Sequence, residues 1–190
     1  MYSDDILHPK DKDCPMLELH TERLHLRTLS ANDWELFLTL HNDPENLRYV
    51  FDPLSRAQIE ERFNSRLPHW DVDSSHWLCL LIRDRHSGEG LGFTGLRISD
   101  RDTAEAEVGY LLLPQHQGKG LGAESLRAVM DHARDTLGIK HLIATVTDGN
   151  VASCKVLEKN GFALKQRNER AFQLGGRDFD DLIFDCRLSA

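Results

Sequence analysis

A glycine-rich turn between a strand and a helix is the feature that most constrains this chain. The segment Glu107–Gly122 reads EVGYLLLPQHQGKGLG, in which a strand-like apolar run stops at Pro114 and three alternating glycines follow from Gly118. Glycines let backbone N–H groups converge without side chains in the way. The N-terminus of the helix that follows adds partial positive charge at the same place. The segment predicts a phosphate-binding site with Lys119 at its rim, although a flexible connection to the helix is the simpler interpretation.

Two classes of phosphate-binding turn are compatible with these glycines. Residues 118–123 also match the dinucleotide fingerprint G-x-G-x-x-[GA], which requires a parallel βαβ unit and an acidic residue about 20 positions on. Asp148 comes later than that, and the turn follows a predicted antiparallel hairpin past mid-chain. The triphosphate motif G-x-x-x-x-G-K-[ST] does not occur. A dinucleotide-binding oxidoreductase is therefore the less favoured alternative.

Charge and composition exclude several partner classes. The 190 residues carry 23 basic and 31 acidic side chains, a formal charge of −8, which disfavours nucleic acid and an anionic membrane surface as partners. The longest apolar run, 77–82, is far shorter than the ~20 residues of a membrane span. The four cysteines form no C-x-x-C pair, and the ten histidines form no H-E-x-x-H motif. We therefore expect no metal, no membrane and a reducing, cytoplasmic location.

Hydrophobic periodicity predicts one mixed α/β (α+β) domain at 17–190 after a flexible tail at 1–16. Apolar alternation indicates strands, and apolar residues three or four apart indicate about four helices. The Gly-containing segment 87–90 predicts a hairpin, so the central sheet should be mostly antiparallel. The predicted strands are 17–26, 76–83, 91–98, 104–113, 142–147, 162–170 and 179–188, and the predicted helices carry the apolar positions within 34–40, 59–67, 126–137 and 151–160.

Four segments in this order resemble the GCN5-related N-acetyltransferase (GNAT) family. Gln115-x-x-Gly118-x-Gly120 resembles the family signature Q/R-x-x-G-x-G/A. The other three look like the RimJ/RimL-like branch, which acetylates ribosomal-protein N-termini and related amines; they are Leu19–Arg27, Glu107–Tyr110 and Asn150–Phe162. The resemblance covers 17–188 and implies a GNAT-like single domain whose sheet contains a splayed strand pair.

The resemblance implies acetyl-CoA as the cosubstrate and assigns residues to it. The glycine turn would hold the pyrophosphate through backbone amides, at Gln117, Gly118, Lys119, Gly120, Leu121 and Gly122. The preceding strand end would hold the pantetheine arm and acetyl carbonyl through free backbone groups, at Leu111, Leu112 and Leu113, although three leucines also suit a core. Asn150 and Ser153 would contact the pantetheine or the thiol sulfur. Asn150 is equally a natural helix N-cap.

The implied reaction is direct transfer of the acetyl group to a primary amine, on a protein N-terminus or a small molecule. Glu107 matches the glutamate of the branch's E-x-G-Y strand and is our candidate base, acting through water; Glu105 shares its strand parity and competes. Many relatives carry a tyrosine seven residues after the asparagine, where it acts as the general acid. Leu157 stands there in this chain, so Ser153 or water would replace it. A covalent route through Cys154 is not favoured because no histidine is placed to activate it.

The acceptor and one alternative function stay open at this level. Because the tyrosine is missing, a non-catalytic acyl-CoA-binding module is also possible. Thr145 stands where the relatives that acetylate the N-terminal alanine of one ribosomal protein carry a glutamate base. His69, Trp70 and Trp77 are candidate lining residues of an acceptor pocket, although such aromatic residues are more often core. The acidic net charge mildly favours a cationic acceptor. We expect a monomer or a homodimer.

Overall fold

The computed structural model describes residues 16–49 and 53–189. Its eight strands are β1 (Glu18–His20), β2 (Leu24–Thr28), β3 (Leu78–Asp84), β4 (Gly90–Asp100), β5 (Glu105–Leu112), β6 (His141–Thr147), β7 (Ala163–Leu174) and β8 (Arg177–Arg187). They form one sheet in the order β1-β2-β3-β4-β5-β6-β8-β7. Neighbouring strands are antiparallel except β5 and β6, which are parallel. The predicted mixed, mostly antiparallel sheet is confirmed.

Five α-helices connect the strands, one more than the sequence predicts. They are α1 (Trp34–Asn42), α2 (Pro44–Leu47), α3 (Arg56–Asn64), α4 (Leu121–Asp135) and α5 (Val151–Lys159), with short 3₁₀ turns at Ala31–Asp33 and Pro114–His116. The additional helix, α2, has four residues, too few for an apolar period. Local chemistry defines it instead, because Pro44 occupies its first position and the Asp43 side chain accepts two backbone N–H groups.

The sheet separates two apolar cores. One face packs against α4 and α5, with Leu126, Val129 and Leu157 at its centre, and the other packs against α1 and α3, with Phe37 and Ile59. Leu126 and Val129 are three residues apart on α4, which places both on the stripe that faces the sheet. Each strand of the sheet therefore presents alternate side chains to different helices.

Several boundaries differ from the predicted ones for local reasons. The last hairpin extends to β7 and β8 because Gly175 and Gly176 both adopt left-handed conformations, with φ of +56° and +75°, and close a tight turn. Helix α3 ends at Asn64, three residues before Leu67, which precedes a proline and packs on the core from outside the helix.

The predicted tail lies outside the described residues except at its last position. Met16 is exposed, and nothing in the structure describes 1–15. Within 16–49 and 53–189, none of the helices combines the length and apolar character that crossing a membrane requires.

Strands β5 and β6 part after a short stretch of pairing. Their parallel register joins Glu105 to His141 and Glu107 to Ile143. Beyond these residues β5 continues to Leu112 and β6 to Thr147 without further pairing to each other. The resulting gap is the splayed strand pair that the sequence led us to expect, and the glycine turn follows directly from the end of β5.

Candidate functional site

The backbone of β5 directs hydrogen-bonding groups of Leu112 into the gap. The N–H of Leu113 donates to the carbonyl oxygen of Leu91 at 2.9 Å, and Leu112 lies opposite Gly92 in the β4–β5 register. Because antiparallel pairs alternate between bonded and non-bonded positions, Leu112 directs its N–H and C=O away from β4. The same alternation turns the backbone of Leu111 and Leu113 toward β4. Among the three predicted leucines, Leu112 alone faces the gap through its backbone.

The glycine turn leaves helix-initiating N–H groups without acceptors in the helix. Gly118 and Gly120 have φ of +71° and +79°, a left-handed conformation that suits glycine. The first hydrogen bond of α4 is from Glu124 N–H to the Gly120 carbonyl, at 3.1 Å. The N–H groups of the preceding positions, 121–123, therefore point out of the helix N-terminus. The arrangement suits a diphosphate.

Side chains from distant segments fix the turn in place. Gln117 Nε2 donates to the carbonyl of Leu112 and to Asn46 Oδ1, both at 3.0 Å. Arg23 Nη1 donates to the Lys119 carbonyl at 3.0 Å, while its guanidinium lies 2.6 Å from the Glu124 carboxylate. The Gln117 side chain thus holds one end of the turn, and Arg23, paired with Glu124, holds the Lys119 carbonyl. Arg23 lies in a segment that carried the family resemblance, but the sequence assigned it no role.

A hydroxyl pair spans from β5 to α5. Tyr110 Oη lies 2.8 Å from Ser153 Oγ and donates to the Ser153 carbonyl at 3.0 Å. Burial raises the pKa of Tyr110 to about 12, so the phenol keeps its proton at neutral pH. Asn150 Oδ1 accepts the Ser153 N–H at 3.1 Å, which makes Asn150 the N-cap of α5. Leu157 is fully buried in the core and cannot donate a proton.

The two candidate bases lie on the same face of β5 with different partners. Glu107 Oε2 accepts from Arg97 Nη2 at 2.7 Å, and the Arg97 guanidinium lies 5.5 Å from the ring centre of Trp77. Glu105 is held by Ser99 Oγ at 2.9 Å and by His141 Nδ1 at 2.8 Å. Glu107 is the last β5 residue that pairs with β6. It is therefore the closer of the two to the opening of the gap.

A pocket of about 230 Å³ lies over β3, β4 and β5 on the α1 and α3 side of the sheet. Gly109 and Leu111 contribute to it from β5, and Trp77 from the segment before β3. A methyl group added at Gly109 would lie 3.4 Å from the Trp77 ring, so the glycine lets the indole approach the strand. The predicted lining role of Trp77 fits this geometry.

Three basic residues that line this pocket were not predicted from the sequence. His41, Arg62 and Arg66 line it from α1, from α3 and from just after α3. The sequence signal for them was the four-residue spacing of Arg62 and Arg66, which is typical of two side chains on one face of a helix. His69 and Trp70 are not among its lining residues, and Trp70 Nε1 donates to the His76 carbonyl at 3.0 Å.

A separate group of potential metal ligands lies on β1 and β2. Glu18 Oε2 is 3.8 Å from His20 Nε2 and 3.4 Å from His25 Nε2, and the two imidazoles are stacked. His20 and His25 are cross-strand partners in the β1–β2 register. Sequence spacing did not indicate this group, because strand pairing brings it together.

Comparisons with known proteins agree with this geometry. A family model described as an acetyltransferase (GNAT) domain matches residues 23–163. An uncharacterized N-acetyltransferase of Bacillus licheniformis, p20, is 26% identical over 151 residues, which are 77% of this chain and 83% of that protein. The uncharacterized N-acetyltransferase YoaA of Bacillus subtilis is 25% identical over 172 residues, 90% of this chain and 95% of that protein.

Solved structures show the same fold. The spermidine N-acetyltransferase of Vibrio cholerae, in complex with CoA and spermine, superposes with a TM-score of 0.76 at 21% identity, covering 88% of this chain and 96% of that one. An acetyltransferase from Agrobacterium tumefaciens gives a TM-score of 0.71 at 26% identity, covering 97% and 99%.

Proposed function

The chain belongs to the GNAT acetyltransferase domain family, and from this premise we propose how its residues transfer an acetyl group from acetyl-CoA to a primary amine. The family match includes the glycine turn, the β5–β6 gap and both hydroxyls of the Tyr110–Ser153 pair. The observation that carries the proposal is that these three features lie one after another along the gap. Helix-initiating N–H groups lie at one end of the gap, the Leu112 N–H, directed away from β4, follows, and the hydroxyl pair crosses the gap.

Acetyl-CoA binds along the gap, from the glycine turn to the hydroxyl pair. The pyrophosphate lies at the turn Gln117–Gly122, with its charge met by the N-terminus of α4, while Arg23 holds the turn through the Lys119 carbonyl. The pantetheine arm extends along β5, where Leu112 offers backbone groups, and reaches Asn150 and Ser153 at the start of α5. Acetyl-CoA supplies the activated acyl group, while the protein supplies position and electrostatics.

Glu107 acts as the base through a water molecule. An ammonium ion must lose a proton before its nitrogen can attack, and a carboxylate near the acceptor pocket can receive that proton. Glu107 is two residues from Gly109, which lines the pocket, and faces the same side of the sheet. Arg97 holds the carboxylate in place at 2.7 Å.

Ser153 supplies the donor for the leaving sulfur. As the new C–N bond forms and the C–S bond breaks, Ser153 Oγ donates to the thiolate, and the second proton lost by the amine nitrogen reaches sulfur through this hydroxyl. In this step the Tyr110 O–H, which donates to the Ser153 carbonyl in the structure, turns to Ser153 Oγ at 2.8 Å and keeps its proton, because the pKa of Tyr110 is raised. The products are the N-acetyl amine and CoA with a free thiol.

Direct transfer is supported by the state of Cys154. Burial raises the pKa of this thiol, and the nearby Glu158 carboxylate raises it further. A thiol that holds its proton is a poor nucleophile for a covalent acetyl-cysteine route. We therefore propose attack by the amine within a ternary complex.

The acceptor is a primary amine, on a protein N-terminus or on a small molecule. The RimJ/RimL-like branch is a candidate on the strength of the sequence segments Leu19–Arg27, Glu107–Tyr110 and Asn150–Phe162. The cytoplasmic location and the monomeric or homodimeric state remain predictions from the sequence.

Calorimetric titration of the purified protein with acetyl-CoA tests the proposal, with NAD(H) as the control ligand. We expect micromolar binding of acetyl-CoA, none of NAD(H), and release of CoA thiol when an amine acceptor is added. Binding of NAD(H) alone would return the glycine turn to the dinucleotide class. Binding of acetyl-CoA without turnover of any amine would indicate an acyl-CoA-binding module.

A further inference from the structure

The 230 Å³ pocket on the α1 and α3 side carries information about the acceptor. It includes Gly109, Tyr110 and Leu111, the part of β5 that follows its separation from β6. A molecule in this pocket is therefore beside the strand end where the acetyl group is placed. This placement rests on the proposed function, and the side chains that line the pocket indicate which amine enters it.

The described side chains that line the pocket carry positive charge. Its described lining residues include His41, Arg62 and Arg66 and no aspartate or glutamate. Burial lowers the pKa of His41 to about 4, with Arg66 and Arg62 contributing in the same direction, so its imidazole is neutral at pH 7. Burial and the neighbouring Arg66 also lower the pKa of Arg62, but an arginine remains charged. Two guanidinium groups thus share one half-buried space.

Arg66 has contacts but no carboxylate among the described residues. Its guanidinium lies 5.4 Å from the ring centre of Phe37, and its charge lowers the pKa of the Cys79 thiol, which burial raises. A guanidinium offers five donors in a planar fork that matches a carboxylate. Arg66 is half-buried, where an anion would offset both its lost hydration and its repulsion with Arg62.

The shape and remaining surface of the pocket restrict the ligand further. At about 230 Å³ it is smaller than the ~300–1,000 Å³ of sites for drug-sized ligands. Trp77 and Phe93 provide apolar surface between the arginines and β5. A polyamine would bring positive charge against two guanidinium groups, so the local field opposes the cationic acceptor that the net charge of −8 suggests.

We propose that the acceptor is a small amine bearing a carboxylate, an amino-acid-like molecule whose carboxylate binds Arg66 and Arg62 while its amine faces β5. The two ends then have separate roles. The carboxylate fixes the position of the molecule, and the amine nitrogen forms the new bond to the acetyl carbon as described above. The apolar part of the side chain packs against Trp77.

Matched pairs of acceptors test the inference. The proteinogenic amino acids, their α-amides and their decarboxylated amines are compared at saturating acetyl-CoA by release of CoA thiol, with spermidine and a short peptide bearing a free N-terminus in the same series. We expect at least one amino acid to have a kcat/KM at least tenfold above that of its amide and its decarboxylated amine.

Substitution of Arg66 tests whether this pocket causes the preference for acceptors that bear a carboxylate. Arg66→Gln leaves a shorter polar side chain that can still donate hydrogen bonds but removes the charge, and we expect it to raise KM for the preferred amino acid at least tenfold while leaving kcat and the KM of the matched amide within twofold. Arg66→Lys should restore part of the loss. Arg56→Gln is the control, since Arg56 is an exposed residue of α3 that lies over Trp34 outside the pocket.

The outcomes separate this inference from the proposed function. Equal or faster acetylation of amides, of decarboxylated amines, of spermidine or of the peptide overturns the inference and leaves the acetyltransferase intact. Failure of every amino acid to react, with acetyl-CoA bound, also overturns it. Failure of acetyl-CoA to bind in calorimetry contradicts the proposed function itself.

Discussion

Tyr110 Oη lies 2.8 Å from Ser153 Oγ, a contact that joins β5 to the first turn of α5 where β5 and β6 have separated. The pKa of Tyr110 is raised to about 12 by burial, so both hydroxyls of the pair hold their protons at neutral pH. Two neutral hydroxyls in series can donate to a developing thiolate. In the proposed mechanism this pair takes the place of the tyrosine that is missing at Leu157 of α5, with Tyr110 contributed by β5.

Substitution of the hydroxyl pair should reduce turnover without weakening cosubstrate binding. We expect Ser153→Ala to lower kcat about 10²-fold, at the lower end of acid–base contributions, with acetyl-CoA affinity in calorimetry unchanged. Tyr110→Phe should lower kcat by less, since Tyr110 acts through Ser153. The double variant should match Ser153→Ala, because coupled residues are not additive. Multiplicative losses would show that the two hydroxyls act independently.

The two β5 carboxylates can be distinguished by isosteric amides. We expect Glu107→Gln to lower kcat about 10²- to 10³-fold with acetyl-CoA binding intact, because the amide cannot accept the ammonium proton. Glu105→Gln is the matched comparison, since Glu105 lies on the same face but is bound to Ser99 and His141. A larger loss of kcat in Glu105→Gln than in Glu107→Gln would transfer the role of base to Glu105.

The sequence predicts those parts of the site that depend on local pattern. The glycine turn is a strand–helix junction with left-handed positions at Gly118 and Gly120, and glycines at such spacing predict it directly. Strand parity likewise places Glu105 and Glu107 on one face. The role of Asn150 as N-cap is predicted from the residue type alone, because asparagine is favoured directly before a helix. Each of these features is determined within about twenty residues of chain.

The parts that the sequence does not predict depend on long-range packing. Which of the leucines at 111–113 faces the gap is decided by the β4–β5 register, through the bond from Leu113 to Leu91. The basic pocket forms because α1 and α3 pack over β3, β4 and β5, which brings Arg62 and Arg66 beside Gly109. Neither periodicity nor motif spacing contains that juxtaposition.

Asn150 substitutions should separate capping from cofactor contact. Asn150→Ala removes the acceptor for the Ser153 N–H and should lower the free energy of unfolding by about 1 kcal/mol, the usual contribution of an N-cap. Asn150→Asp keeps a capping oxygen and should retain the stability in urea unfolding. If Asn150→Asp is stable but binds acetyl-CoA more weakly, the amide group also contacts the cosubstrate. If its affinity is unchanged, the residue is a cap alone.

Two glycines with the same backbone conformation allow a matched test of the phosphate turn. Gly118 and Gly138 have φ of +71° and +68°, and a methyl group at either meets no heavy atom within 4 Å. Alanine at either position should cost about 1 kcal/mol of stability through its strained conformation. Only Gly118→Ala should also weaken acetyl-CoA binding in calorimetry, by shifting the turn that precedes α4. Equal affinity in both variants would remove the turn from the binding site.

The Arg27–Asp33 pair should make stability depend on pH in the acid range. Arg27 donates to both carboxylate oxygens of Asp33, at 2.7 and 2.8 Å, and Ser30 donates to the same group. Burial by itself raises the pKa of Asp33, but the bonds from Arg27 and Ser30 outweigh it and hold this pKa below its ordinary value of 3.8. The folded state therefore binds fewer protons than the unfolded state in that range, and stability is lost as pH falls through the folded pKa.

Urea unfolding between pH 7 and pH 2.5 measures the contribution of this pair. We expect Asp33→Asn to lower the free energy of unfolding at pH 7 by about 3 kcal/mol, because Arg27 is left without its partner in a mostly buried position, and the deficit should shrink as the wild-type carboxyl is protonated. Asp131→Asn is the control, since Asp131 is exposed on α4, 3.1 Å from Arg134, and its removal should leave the curve nearly unchanged. A deficit of equal size at both ends of the pH range would mean that the Asp33 side chain stabilises the fold by packing rather than by its charge.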